Sequence, residues 1–489
     1  MRDKALGYWR PISIMKFSGR SRSCASTLRC CITALSALAV FCASVATISG
    51  AQTFTTLVTF DGVDNGEFPL SIVQGTDGRL WGTTSGRNVI DCGNAFKMTP
   101  SGVLSVVSNF DCSTGNEPDS LTLGRDGVWY GITFSGGTSG FGTVFKLGPF
   151  SGLVTVLYNF SGGTDGSGPV GRLVQGSDGA LYGATYGGGS AGFGNIFKIT
   201  TGGILTALYQ FDLTHGGQPY AGLVQGTDGN FYGTTYSGGS SCCGTVFKIT
   251  PQGGLTVLHS FGNGDDGDFP VASLIQGRDG NLYGTTPDGG PDNDGTVFKI
   301  TPTGAFTILH SFVDTDGRYP ACGVIQGSDG YFYGATSYGG KDDYYGTLFK
   351  MNAAGTVVTL HKFDGHDGTQ PCALVQHTNG ILFGVTEGGG DMSCSAPYGC
   401  GTVFSFDLGL NPFIEALPTS GKAGMKVVIL GSNLSEATNV SFNGTAATFG
   451  AGSNSEITTT VPSGATTGLV TVTTPDGTLS SNIAFRVMQ

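Results

Sequence analysis

Aspartates bunch together in this 489-residue sequence. Asp265, Asp266 and Asp268 fall in one short stretch and Asp288, Asp292 and Asp294 in a second; Asp314, Asp316, Asp342 and Asp343 follow. Carboxylates on neighbouring loops are the hard oxygen ligands that calcium takes. Asp265, Asp266, Asp268, Asp292 and Asp294 are therefore the expected ligands of a calcium ion, the alternative being a solvated acidic rim. The contiguous EF-hand loop is missing, and no other cofactor is indicated. Eight cysteines follow residue 51. Cys92 with Cys112, Cys394 with Cys400 and Cys322 with Cys372 are expected to pair as disulfides in an oxidising compartment. Adjacent Cys242 and Cys243 complete the set, and no C-x-x-C spacing supports zinc. Five aromatics, Phe141, Phe193, Tyr344, Tyr345 and Tyr398, stand in glycine-rich loops. Their rings would stack on sugar faces, which makes them the expected ligand-binding residues.

Acid–base catalysis needs unlike groups that converge. The six histidines (His215, His259, His310, His361, His366 and His377) are scattered, and three of them recur at a spacing of 51. That spacing is repeat inheritance, so no catalytic residues are assigned.

The elements that must position these residues come from a repeat. Asp77-Gly78, Asp126-Gly127, Asp178-Gly179, Asp228-Gly229, Asp279-Gly280, Asp329-Gly330 and Asn379-Gly380 recur about every 50 residues. Phenylalanines from Phe60 to Phe363 and prolines from Pro69 to Pro371 keep the same register. Each unit reads as four short strands: AGLVQG, a TDG turn, NFYGTTY, a loop, GTVFKIT, a second turn and LTVLHSF. Four antiparallel strands in a unit of this length make a propeller blade. The stretch FTTLVTF from Phe54 matches a fourth strand, and the last unit lacks one. The first strand therefore completes the last blade, predicting an all-β, seven-bladed β-propeller over residues 52–410. A glutamine recurs on six inner strands (Gln74, Gln175, Gln225, Gln276, Gln326 and Gln376), with Leu123 in the second blade; these amides are expected to tie neighbouring blades together.

Seven bases and one acid precede residue 52, followed by an apolar run from Ile32 to Ala51. A basic flank, a short apolar core and small closing residues describe a signal peptide over residues 1–51. Its removal would leave no membrane-spanning segment and a net charge of −17, against −11 for the whole chain. Such a surface repels nucleic acid.

The GTVFK and LYGTT signatures resemble the bacterial extracellular tandem repeats called GloVer repeats, over Phe54 to about Asp407. The resemblance implies a propeller and export, and brings no defined activity. Residues 411–489 are similar to the IPT/TIG domain, an immunoglobulin-like β-sandwich, at Pro418, Ser420-Gly421, Gly424, Gly431, Asn433-Leu434 and Pro462. The expected function is a secreted or cell-surface, non-catalytic binding module whose partner is a glycan or an extracellular protein. The alternative is an extracellular hydrolase or lyase of lactonase-like propeller type acting on a polymer.

Overall fold

The computed structural model describes residues 52–86, 92–262, 264–340, 344–450 and 452–488. The expected signal segment, Asp342 and Asp343 lie outside the described residues. All elements among the described residues are strands, and no helix is long and apolar enough to cross a membrane. Blades 1 to 6 occupy residues 69–109, 116–159, 167–210, 224–260, 275–311 and 324–362, each a four-stranded antiparallel sheet. Blade 7 takes three strands from residues 369–407 and its outermost from Thr53–Thr59, which pairs antiparallel with Thr402–Asp407. The chain is a seven-bladed β-propeller closed by its own first strand.

The repeated side chains explain the packing. The second strand of every blade is buried along the five positions from Leu80 to Thr84 and their equivalents. Its aromatic residue fills the space between blades: Tyr182 stacks on Phe231 at 4.0 Å, and Trp81 meets Trp129 at 5.1 Å. A buried phenol needs a partner, and the turn aspartate provides it. The Tyr130, Tyr182, Tyr232, Tyr283 and Tyr333 hydroxyls donate to Asp126, Asp178, Asp228, Asp279 and Asp329 at 2.7–2.8 Å. The glycine after the ring is required by close approach: a Cβ on Gly284 would come within 2.5 Å of the Phe298 ring.

The glutamines bind blade to blade. Gln276 accepts from the Thr227 amide of blade 4 (2.8 Å) and donates to Gly280 of its own turn (2.9 Å). Gln175, Gln225, Gln326 and Gln376 repeat the pattern. Gln74 carries it across the closing seam to the Thr378 amide of blade 7, at 2.8 Å. At the outer edge, His259, His310 and His361 pair with Asp266, Asp316 and Asp367 at 2.7–3.0 Å. His259 lies flat on Phe306 and His361 on Phe54, each with ring centroids 3.8 Å apart. These histidines hold blades together.

The C-terminal sandwich packs Glu415–Leu417, Lys426–Leu430 and Glu456–Thr460 against a four-stranded sheet ordered Thr445–Ala447, Asn439–Phe442, Val470–Thr474, Gly477–Ser480. Ile414, Val427, Ile429, Val440, Phe442, Ile457, Val470, Val472 and Phe485 form its core. It docks on the propeller face that carries the Asp-Gly turns. Ser455 donates to the Thr76 carbonyl (2.7 Å), Arg278 to the Asn482 carbonyl (2.7 Å), and the Phe413 amide to the Thr378 carbonyl (3.0 Å). The sandwich therefore bridges blades 1, 5 and 7.

Candidate functional site

The opposite face is built by a latch repeated in every blade. The residue before each signature proline is left-handed: Phe68, Glu117, Gly168, Gln218, Phe269, Tyr319 and Gln370, with φ between 53° and 60°. Six of the seven are not glycine, in a conformation that side chains adopt only when their surroundings hold them there. The restraint is visible. Each donates its amide to a carbonyl in the preceding blade's loop between strands two and three: Cys400, Cys92, Phe141, Phe193, Cys243, Asp294 and Tyr345, at 2.7–3.2 Å. The latch fixes six side chains where the inner strands begin, around the mouth of the channel.

Over blades 3 to 7 the residues flanking the signature proline meet those at the end of the second strand in an aromatic cup. Tyr186 and Tyr220 lie edge to face at 5.5 Å, Tyr236 stacks on Phe269 at 5.0 Å, and Tyr319 meets Tyr338 at 5.7 Å. Tyr220 and Tyr236 are 6.0 Å apart, joining the first two pairs. Amides orient the rings: Gln218 donates to the Tyr186 hydroxyl (2.9 Å) and Gln370 to the Tyr338 hydroxyl (3.2 Å). The Tyr220, Tyr236 and Tyr319 hydroxyls make no hydrogen bond among the described residues.

Carboxylates share the cup. Burial, with the neighbouring Asp268 charge, pushes Asp288 up to about 6, and burial alone pushes Glu387 up to about 7. Asp288 acts electrostatically on Tyr236 and Tyr319, and Glu387 on Tyr338. Neither carboxylate takes a hydrogen bond from a described residue. Burial also raises Asp119, which accepts from the Gly171 amide at 2.7 Å. Tyr220 is raised to about 12 by burial and then by its tyrosine and Asp119 neighbours.

Arg172 and Glu415 mark the other end of the channel. Arg172 lies on the inner strand of blade 3, and Glu415 on the first strand of the sandwich. Both keep solvent contact while protein encloses them, as happens to groups facing a water-filled channel. Desolvation lowers Arg172 and raises Glu415, and each charge opposes the shift of the other.

The five aspartates expected to bind calcium are not brought together. Asp266 is taken by His259. Asp268 sits at the mouth, its amide bonded to the Asp288 carbonyl at 2.9 Å. Asp292 and Asp294 border an open hollow of about 450 Å³ with Asp314 and Arg318. The Arg318 Nε lies 3.6 Å from Asp314, so a side-chain cation already faces this hollow. Asp265 is exposed. Glu67 lies beside Cys394 and Cys400, but sulfurs joined in a disulfide are poor ligands.

The loop aromatics divide in the same way. Phe141, Tyr344 and Tyr398 are exposed, on blades 2, 6 and 7. Phe193 packs with the apolar core between blades 3 and 4, and Tyr345 with Phe363. Phe141, Phe193 and Tyr345 supply latch carbonyls. Cysteines bond as Cys92–Cys112, Cys242–Cys243, Cys322–Cys372 and Cys394–Cys400, the third pair joining the inner strands of blades 6 and 7. Sequence reasoning missed the tyrosine cup, although one signal for it was present. The column before the proline changes from blade to blade inside an otherwise constant repeat.

Among solved structures, the chain is similar to a gluconolactonase from Xanthomonas campestris (10% identity, 74% of this chain and 92% of that one, TM-score 0.38). It is also similar to the PQQ-bound aldose sugar dehydrogenase of Streptomyces coelicolor (12%, 73% and 98%, 0.40) and to PorZ, a surface component of the type-IX secretion system of Porphyromonas gingivalis (13%, 88% and 61%, 0.48). No functional argument rests on likenesses this distant. No curated protein matches in sequence. The model of the Gloeobacter/Verrucomicrobia repeat matches residues 33–226 and again 201–404, and that of the IPT/TIG domain matches residues 412–487. The chain belongs to the Gloeobacter/Verrucomicrobia repeat family, closed here into a propeller and followed by an IPT/TIG domain.

Proposed function

We propose that the protein is an exported binding module, secreted or held at the cell surface, that takes a glycan at the channel mouth. One observation carries this reading. Five polar groups without protein partners (the Tyr220, Tyr236 and Tyr319 hydroxyls and the Asp288 and Glu387 carboxylates) share a cup walled by aromatic rings. All five are half-buried and open to solvent, and a sugar offers both hydroxyls for such groups and a C–H face for the rings. The test is a glycan array probed with the chain from residue 52, with calcium and with chelator. Saturable binding that Tyr236→Ala and Tyr319→Ala each weaken by at least tenfold supports the reading, while binding that ignores both substitutions overturns it. Binding lost only with chelator would return the acidic loops as a metal site.

The rival, an extracellular hydrolase or lyase, draws on Asp288 and Glu387, which are held near neutrality as a general acid requires. Release of reducing ends or unsaturated products by the parent chain, abolished in Glu387→Gln, would favour it.

A further inference from the structure

In each blade, the loop between strands two and three ends on the residue that gives its carbonyl to the latch. That residue is aromatic in blades 2, 3 and 6 (Phe141, Phe193 and Tyr345) and Asp294 in blade 5. In blades 1, 4 and 7 it is a cysteine held in a disulfide: Cys92, Cys243 and Cys400. A cystine thus stands where other blades use a ring to anchor the loop. Blade 4 differs from blades 1 and 7 in the source of the second sulfur. Cys92 bonds to Cys112 and Cys400 to Cys394, whereas Cys243 bonds to its own neighbour and closes a ring containing only their shared peptide bond. Cys243 is buried in the apolar core between blades 4 and 5, against which Phe269 also packs. Cys242 is the one exposed cysteine among the described residues. Its carbonyl accepts from the Gly238 amide at 3.0 Å, which folds the loop back on itself. The Cys243 carbonyl accepts from the Phe269 amide at 2.8 Å. Phe269 is left-handed, with φ 55°, and its ring stacks on Tyr236 at 5.0 Å. An exposed disulfide therefore reaches a ring of the cup through one hydrogen bond.

We propose that Cys242–Cys243 is a reversible thiol–disulfide exchange site, reduced by a dithiol, whose state sets how firmly Phe269 is held in the cup. Exchange begins with a thiolate attacking an accessible disulfide sulfur, and exposed disulfides are the labile ones. One thiolate of the dithiol bonds to the Cys242 sulfur. The bond to Cys243 breaks, and its electron pair leaves on the Cys243 sulfur, which takes a proton. The second thiol of the reductant then attacks the first and frees Cys242 as a thiol, and the reductant departs as a disulfide. Two electrons and two protons pass to the protein. The loop is left with two small separate side chains, and the Cys243 carbonyl loses the ring that holds it against the Phe269 amide. A side chain keeps a left-handed conformation only while its surroundings hold it there. This inference rests on the latch and not on what the cup binds.

The test treats the folded chain from residue 52 with increasing dithiothreitol, traps free thiols by alkylation and locates them by mass. Amide exchange is followed on peptides that contain Phe269 or Gln218. Cys242 and Cys243 are expected to be alkylated at least about tenfold faster than the cysteines of the other three bonds, and to be protected again by oxidised glutathione. With both thiols free, the Phe269 amide should exchange at least about tenfold faster than in the untreated chain, while the Gln218 amide, latched to Phe193, stays within about twofold. Cys242→Ser should give the fast Phe269 exchange without reductant, and Cys112→Ser, which opens the bond of blade 1, should not. Alkylation of another pair first, or at the same rate, overturns the exchange site. Phe269 exchange that stays slow with both thiols free overturns the link to the cup. Equal acceleration at Gln218 means general loosening of the fold and overturns that link as well. If Cys242→Ser does not fold, the reductant series on the parent chain decides alone.

Discussion

Glu415, in the leading strand of the sandwich, and Arg172, on the inner strand of blade 3, hold opposite charges inside the same enclosure and offset each other's burial. A charge that loses its partner in such surroundings keeps its desolvation cost without the compensating attraction. Arg172→Met and Glu415→Gln are each expected to destabilise, by roughly 1 kcal/mol given their remaining solvent contact. The double variant should cost less than the two singles together. Urea unfolding of all four proteins measures the interaction, and strict additivity would show that the charges do not act on each other.

Glu387 makes the cup sensitive to pH. A carboxyl whose pKa is higher in the folded than in the unfolded chain holds its proton more tightly when folded. Its contribution is most favourable below the ordinary carboxylate range and is lost as pH rises through about 7. Glu387→Gln, which stays uncharged, should match the parent near pH 4 and exceed it by roughly 1–3 kcal/mol at pH 8. Denaturant midpoints at the two pH values check this; an equal difference at both would be contrary to it.

The amide ladder supplies its own internal control. Blade 2 carries Leu123 where six blades carry glutamine, and the Trp81–Trp129 pair fills the adjoining boundary. Gln276→Leu leaves the Thr227 amide without its acceptor and should cost roughly 1–3 kcal/mol. Leu123→Gln should change stability far less, since no polar group there has lost a partner. The order of the two unfolding midpoints is the measurement.

The propeller was legible because its determinants are local and repeated seven times. Asp-Gly turns, the LYGTT strand and the offset between Phe54 and Phe406 each require only one strand or one turn to be read. Glutamine's role followed from its position on the inner strand. The cup was harder to read, because its members come from separate blades and meet only after the ring closes. Tyr186, Tyr220, Tyr236 and Tyr319 stand up to 133 positions apart. The aromatics singled out in the loops were the ones most obviously outside strands, yet Phe193 and Tyr345 pack inward and offer carbonyls to the latch. The aspartates separate for a related reason: neighbours in sequence, such as Asp266 and Asp268, lie beside a histidine in one case and at the channel mouth in the other. The docking of Glu415 beneath Arg172 had no sequence signal, since neither repeat nor domain pattern specifies how two units face.

Closing blade 7 with Thr53–Thr59 has a consequence for incomplete copies of the chain. The strand made first stays unpaired until Thr402–Asp407, some 350 residues later, is available to receive it. A product that stops short of Thr402 leaves Thr53–Thr59 without the strand it pairs with, the kind of edge that aggregation finds. Completion of the ring thereby depends on the last strand of the repeat region being made.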